Sequence, residues 1–224
     1  MKFGSQINIK FNTDGSPRHY PGNTVISDIC PDNKAFGVIK HLTEQLKERN
    51  LDDLFILLPD NSYHVTIIRG VNDLVRTKDY WPPAIPLDAP MDKVDNFVRS
   101  CVESVEAPET VHMRFSHVQI DDADLRICLE PADKNEDKKL REYRDNIAEK
   151  LNLRLPGHDN YVFHITAAYV KFIPEENRKN MLEKYTEDMN MFLKQQESFE
   201  LPKPRFAYYN DMFYFYDTPI DRSK

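Results

Sequence analysis

Two segments of the chain place a histidine two residues before a threonine. They are SYHVTII, with His64 and Thr66, and VFHITAA, with His164 and Thr166. Both are rich in β-branched and aromatic residues, which is typical of buried strands. Side chains two positions apart on a strand point to the same face. Each segment is therefore predicted to present an imidazole beside a hydroxyl, and the two together predict one site built from two similar halves.

The H-x-T pattern is weak when it occurs once. A third occurrence, His41 with Thr43, lies in KAFGVIKHLTEQLKERN, whose apolar residues follow helical spacing. Positions two apart on a helix do not face each other, so His41 is interpreted as a surface helix residue. Each of the other two could also be a half-buried strand histidine bonded to its neighbouring hydroxyl. Their matching strand context favours a shared site.

Two histidines that face one place can divide acid and base roles, as in-line phosphodiester cleavage requires. Threonine hydroxyls can donate to the non-bridging phosphate oxygens. This chemistry needs no metal and no cofactor. A metal site is the alternative, but two histidines are too few ligands, and the acids of the DDAD stretch at 121–124 are interpreted as turn residues. No G-x-S-x-G is present for a serine hydrolase, and no glycine-rich phosphate loop.

Composition limits the classes of partner. The chain has 224 residues, a net charge of −7 and no long basic run, which argues against a duplex nucleic acid partner. No stretch is apolar enough to span a membrane. Three cysteines without a C-x-x-C, and an N-terminal stretch without an apolar signal core, predict a cytoplasmic protein. We expect a monomer that acts on a small nucleotide or oligonucleotide phosphate.

Periodicity and turn residues predict an α+β fold of one domain over residues 1–224. Helices are predicted at 33–49, with Asp32 as N-cap, and at 91–105, 133–151 and 175–197. Strands are predicted at 55–59, 63–70, 111–120, 125–130 and 161–171, the first two as neighbours. Residues 12–33 and 76–90 are predicted as loops. The expected architecture is two lobes, each a small and mostly antiparallel sheet flanked by helices, around a central groove.

Candidate substrate contacts come from the irregular segments. Tyr20 and Trp81 can stack on a base, and Asn23 can read a polar edge; alternatively, the two aromatic residues pin their loops to the core. Strict alternation turns Arg69 and Tyr169 away from the motif face. It places the small residues of VTIIRG and ITAA, Gly70 and Ala168, where a ligand would need room. The aromatic end, RFAYYNDMFYFYD, is interpreted mainly as core.

The tandem motifs resemble those of the 2H phosphoesterase superfamily, the LigT-like group. The segments PGNTVI, YHVTIIRGV, DYWP with PLDAP, and YVFHITAAYV are similar to one subgroup of unknown function. The resemblance covers residues 20 to 170 approximately. It implies a bilobal, pseudo-symmetric fold and metal-independent cleavage of phosphodiesters, often 2′,3′-cyclic phosphates, RNA ends or cyclic nucleotides. It also implies that His64 and His164 are the acid and base, in an order it does not fix, and that Thr66 and Thr166 bind phosphate.

Three functions are consistent with these features. The first is a phosphodiesterase hydrolysing a small cyclic or oligonucleotide phosphate. The second is a nucleotide-binding module without turnover, and the third is an RNA-end processing factor in a complex. A binding module need not keep both histidines, and the acidic composition argues mildly against the third, so the sequence favours the enzyme.

Overall fold

The two motif segments form strands, as their β-branched residues predict. A computed structural model describes residues 2–220, in which ten strands and four helices occur. The strands are β1 (Lys2–Phe3), β2 (Gly22–Asp28), β3 (Phe55–Leu57), β4 (His64–Asn72), β5 (Thr110–Ile120), β6 (Asp124–Pro131), β7 (His164–Val170), β8 (Phe172–Ile173), β9 (Phe199–Pro202) and β10 (Arg205–Tyr209). The helices are α1 (Lys34–Glu48), α2 (Met91–Glu103), α3 (Lys134–Leu151) and α4 (Glu176–Leu193). The predicted α+β class is confirmed.

All pairings between these strands are antiparallel. Eight strands form one sheet in the order β10-β2-β4-β7-β6-β5-β9, with β3 paired to β7, and β1 pairs with β8. The eight-stranded sheet has two halves, because β4 and β7 share a single residue pair, Val65 with Ile165, among the described residues. The two small sheets expected from the sequence are therefore joined at this pair, and a groove opens where the two strands separate.

The helices cover the sheet in two groups. Helix α1 packs on α4, where the Tyr185 hydroxyl donates to the Leu42 carbonyl and the His41 ring lies 4.1 Å from the Phe192 ring. His41 is thus a helix residue, as predicted. Helices α2 and α3 contact each other in the second group. The predicted apolar face of α3 is buried at Leu140, Tyr143, Ile147 and Leu151.

Three sequence predictions about local structure were wrong. Part of the predicted loop 12–33 is β2, a strand that is hard to recognise because three of its buried residues are polar: Asn23, Thr24 and Ser27. The N-cap of α1 is Asn33, whose side chain accepts from the Ala35 amide at 2.9 Å, and not Asp32. Strand β3 pairs with β7 instead of β4, which immediately follows it in the chain.

The buried apolar side chains of both halves form one connected cluster, which contains Val65 and Ile165 at 0% exposure. This shared core supports the single-domain assignment for residues 1–224, which stays a prediction. None of the helices in the described part of the chain is long and apolar enough to cross a membrane.

Candidate active site

The four motif side chains lie on one face of the sheet, around the Val65–Ile165 pair. Val65 and Ile165 point into the core, whereas the histidine and threonine on either side of each are half-buried and line the groove. The antiparallel register around this pair places His64 opposite Thr166, and Thr66 opposite His164. The two imidazoles therefore flank the same residue pair, close enough for the charge of His164 to lower the pKa of His64.

Both imidazoles are oriented by the backbone in the same way. The Nδ1 atom of His64 lies 2.7 Å from the Ser62 carbonyl oxygen, and Nδ1 of His164 lies 2.9 Å from the Val162 carbonyl oxygen. A carbonyl only accepts hydrogen bonds, so each Nδ1 carries the proton. Each Nε2 is therefore the ring nitrogen left for a ligand, able to accept a proton when the ring is neutral.

The surroundings of the two histidines differ. Burial lowers the pKa of His64 from 6.5 to about 4, since the charged ring would lose its hydration. The Phe215 ring packs on His64 with centroids 4.2 Å apart. Burial also lowers the pKa of His164, where the hydrogen bond to the Val162 carbonyl opposes the shift and the Arg126 cation adds to it, but the lowering is smaller than at His64. Of the two, His64 is the more firmly held in its neutral form.

The C-terminal segment holds Phe215 over His64. The Phe215 carbonyl accepts a hydrogen bond from Nη2 of Arg205 at 3.2 Å. Arg205 in turn forms a bidentate ion pair with Asp28. The next residue, Tyr216, exchanges backbone hydrogen bonds with Tyr208 at 2.7 and 2.8 Å. The prediction that this aromatic end is mainly core is confirmed for Tyr208, which is buried. It is wrong for Phe215 and Tyr209, which line the groove.

Arg69 and Tyr169 line the groove, contrary to the prediction from strict alternation. Strand β4 contains an extra residue, Ile67, in its pairing with β2, and β7 contains an extra residue, Ala167, in its pairing with β6. Each β-bulge follows a motif threonine directly and shifts the alternation by one position. The third residue after each threonine therefore faces the site, in both halves of the sheet.

The same bulges overturn the prediction that Gly70 and Ala168 make room for a ligand. Ala168 is fully buried in the core. Gly70 does lie at the groove wall, but a Cβ atom there would be 2.0 Å from the side-chain oxygen of Asn23. The absence of a side chain at Gly70 therefore accommodates Asn23.

The groove is locally positive although the chain is acidic. It has a volume of about 660 Å³, and its lining includes Lys10, Arg69 and Arg126 against one carboxylate, Asp124. Arg126 is neutralised by ion pairs with Asp124 and Asp121. The ammonium of Lys10 lies over the Tyr169 ring at 4.9 Å and donates to the Tyr169 hydroxyl. This balance favours an anionic ligand.

The predicted substrate residues are in three different situations. Tyr20 lines the groove, where its ring stacks on Tyr209 with centroids 6.5 Å apart. Asn23 is 1% exposed, and its amide is already used: it donates to Asp95 at 2.8 Å and accepts from the Val71 amide at 2.9 Å. Trp81 is outside the groove lining; its buried ring donates to the Pro86 carbonyl and so holds its own loop.

A third hydroxyl group adjoins the motif threonines. The Tyr161 hydroxyl lies close enough to the Thr66 side chain to affect the Tyr161 pKa, and the Tyr161 ring lies 6.0 Å from the His164 ring. The guanidinium of Arg144, which is 2% exposed, lies 4.4 Å from the Tyr161 ring centroid. Arg144 also donates to the carbonyls of Ile67, the bulged residue of β4, and of His158. It therefore links α3 to both the bulge and the site.

The turn acids do not form a metal centre in the residues that the structure describes. Asp121 and Asp124 both form ion pairs with Arg126. Between residues 2 and 220, no group of three or more His, Cys, Asp or Glu is arranged to hold a metal ion. Asp124 is the first residue of β6, and burial raises the pKa of its carboxyl. His158 contacts Asp145 at 2.9 Å, away from the groove lining.

Comparison of the sequence with protein families identifies the family of this chain. The family model 2H-phosphodiest, described as a domain of unknown function (DUF1868), matches residues 10–123. The chain belongs to this 2H phosphodiesterase family. The predicted recognition is thereby confirmed, and membership indicates a phosphodiesterase-type activity. The matched range includes His64 and Thr66 and ends before the second motif.

One solved structure has the same fold over nearly the whole length of this 2H family member. It is the crystal structure of the conserved protein of unknown function ATU0111 from Agrobacterium tumefaciens str. C58, with a TM-score of 0.85 and 22% sequence identity. The alignment covers 98% of this chain and 94% of that one. A comparison with curated proteins finds no match. The structural likeness thus supports the fold and leaves the substrate to be argued from the groove.

Proposed function

We propose that this protein is a metal-independent phosphodiesterase. Its substrate would be a small nucleotide or RNA-end phosphodiester, such as a 2′,3′-cyclic phosphate or a cyclic oligonucleotide. The observation that carries the proposal is the arrangement of His64, Thr66, His164 and Thr166 on one face of the sheet around the Val65–Ile165 pair. This arrangement offers two ring nitrogens and two hydroxyls to a single phosphate group.

The difference between the histidines supports an assignment of their roles. His64 is the base, because its pKa of about 4 keeps Nε2 unprotonated at neutral pH. His164 is proposed as the acid, because its pKa is lowered less than that of His64, although burial and the Arg126 cation both oppose its protonated form. With a 2′,3′-cyclic phosphate, His64 takes a proton from water while the water oxygen bonds to phosphorus. The bond from phosphorus to one ribose oxygen breaks, and His164 protonates that oxygen. The product is a nucleoside monophosphate.

Hydroxyl groups would stabilise the charge that develops on the non-bridging phosphate oxygens. Thr66 and Thr166 provide two donors, and the Tyr161 hydroxyl beside Thr66 can orient the Thr66 hydroxyl. Such prearranged donors stabilise the transition state without reorganisation of solvent. The reaction then needs no Lewis acid, which is why we propose that it proceeds without a metal ion.

The rest of the groove suits a nucleotide. Its volume of about 660 Å³ lies in the range of small-molecule sites. The rings of Tyr20, Tyr209 and Tyr169 lie along its walls, and aromatic faces stack on bases without strong sequence preference. A small nucleotide or the end of a strand would fit such a groove, whereas a long duplex would face the repulsion of an acidic surface.

A substrate screen in EDTA tests the proposal. Purified protein is incubated with 2′,3′-cyclic nucleotides, cyclic dinucleotides and short RNAs, and products are identified by phosphorus NMR. The double variant His64→Ala/His164→Ala is the control for contaminating nucleases. We expect hydrolysis of at least one class by the wild type only. Binding without turnover would instead indicate a nucleotide-binding module, and activity restored only by a divalent cation would reject the metal-independent mechanism.

A further inference from the structure

Arg69 is a groove cation that the motif chemistry does not use. The bulge at Ile67 turns it to the same face as Thr66, three residues farther along β4. Its side chain is exposed and donates from Nη2 to the Pro156 carbonyl at 3.0 Å. A guanidinium has five N–H donors, so most of its hydrogen-bonding capacity is left for a ligand.

The two other cations of the groove have more partners than Arg69, which donates only to the Pro156 carbonyl among the described residues. Arg126 is paired with two carboxylates. Lys10 donates to Tyr169 and lies over two tyrosine rings, an arrangement that holds the aromatic wall. Among residues 2–220, Arg69 forms no ion pair with a carboxylate. The charge of Arg126 is neutralised by carboxylates, whereas the charge of Arg69 is not. A bound anion could therefore compensate the charge of Arg69.

The position of Arg69 sets the distance of that charge from the reacting phosphorus. Three residues of strand correspond to about 10 Å between the Thr66 and Arg69 backbones, less the shortening at the bulge. One phosphate held by the motif residues and another held by Arg69 would thus be separated by roughly one nucleoside. Arginine suits this role because its planar donors bind a phosphate through two parallel hydrogen bonds.

We infer that Arg69 binds a second phosphate of the substrate, one nucleoside away from the phosphodiester that is cleaved. This inference rests on the proposed function. It specifies the substrate class as nucleotides with two phosphate groups instead of simple nucleoside cyclic phosphates. The second phosphate can be a terminal 5′-phosphate of a mononucleotide or the internal phosphodiester at the end of an RNA strand.

Three substrates separate these sources. They are adenosine 2′,3′-cyclic phosphate, the same compound with a 5′-phosphate, and a diadenosine with one internal phosphodiester and a 2′,3′-cyclic end. We expect one or both of the two-phosphate substrates to have a kcat/KM higher by about tenfold or more, the worth of a charge-assisted hydrogen bond. Preference for the 5′-phosphate alone would indicate a mononucleotide, and preference for the diadenosine alone an RNA end.

Arg69→Gln should remove this preference, so that the loss of kcat/KM is about tenfold larger for the two-phosphate substrates than for adenosine 2′,3′-cyclic phosphate. Arg114→Gln is the matched control, since Arg114 is an exposed arginine of β5 outside the groove lining and the substitution removes the same charge. It should preserve the preference. Equal kcat/KM for all three substrates, or an equal loss on all three in Arg69→Gln, would overturn the inference while the proposed function stands.

A binding measurement keeps the inference testable if no substrate is hydrolysed, an outcome that would count against the proposed function. Adenosine 3′-monophosphate and adenosine 3′,5′-bisphosphate differ by the second phosphate and require no turnover. We expect calorimetry to show tighter binding of the bisphosphate by about tenfold, and the same Kd for both ligands in Arg69→Gln. Equal affinities in the wild type would overturn the role of Arg69.

Discussion

Val65 pairs with Ile165, and this pair joins the two halves of the sheet. Its position explains how two distant motifs form one site. Because both side chains enter the core, the residues before and after each must face the groove. The pair acts as a local pseudo-twofold axis that relates His64 to His164 and Thr66 to Thr166. Small changes at this pair would therefore alter both motifs together.

The pH dependence of kcat/KM should be a bell displaced to low pH. The acid limb rises as the base His64 loses its proton, near its pKa of about 4. The other limb falls as the acid His164 loses its proton, below the ordinary value of 6.5 because burial lowers that pKa too. The limbs belong to the coupled pair. A profile of kcat/KM against pH from 3 to 9 would check this, and an optimum above pH 8 would contradict it.

Phe215→Ala should shift only the acid limb of this profile. Removing the ring that packs 4.2 Å from His64 admits water, so the pKa of His64 rises from about 4 toward 6.5. The acid limb should move to higher pH by as much as about two units. Tyr214→Ala is the control, because Tyr214 belongs to the same segment but is 43% exposed. An unchanged acid limb in Phe215→Ala would show that this ring does not set the pKa.

Tyr161→Phe and Thr66→Val should act on the same step. Each removes one of two neighbouring hydroxyls at the site, and we expect each to lower kcat by about tenfold. The double variant should cost much less than the product of the two losses, since the hydroxyls are coupled. A double-mutant cycle on kcat measures this. Fully multiplicative losses would mean that Tyr161 acts independently of Thr66.

Asn23→Ala should reduce stability without a change of substrate preference. It leaves the buried Val71 amide and the Asp95 carboxylate without their Asn23 partner, which costs about 2 kcal/mol or more in the free energy of unfolding. Urea unfolding measures this loss, with Asn160→Ala as the control, because Asn160 is an exposed groove residue. If Asn23→Ala left the free energy of unfolding unchanged but altered KM, Asn23 would be a substrate contact and this prediction would be wrong.

Local patterns account for the elements that could be predicted. The helical spacing around His41 distinguishes its H-x-T from the other two, and α1 bears this out. The runs around His64 and His164 predict strands that face one groove, and the register around Val65 and Ile165 has this property. These predictions succeed because side-chain period and β-branching are properties of short segments.

Features that depend on tertiary pairing could not be predicted in this way. The bulges at Ile67 and Ala167 are defined by the neighbouring strands, so alternation misplaced Arg69 and Tyr169. A signal was nevertheless present: VTIIR and ITAAY place a large polar residue at the same distance after each threonine. Phe215 gave no such signal, since its contact with His64 depends on the path of the C-terminal segment.

The most direct test of the account is the kcat of the histidine variants on the preferred substrate in EDTA. His64→Ala and His164→Ala should each lower kcat at least about a hundredfold, because each removes a general acid or base. The double variant should be little worse than either, since the two groups act as a unit. His41→Ala, which alters the third H-x-T, should match the wild type. Losses that multiply in the double variant, or a folded His41→Ala variant as impaired as His164→Ala, would contradict a single two-histidine site.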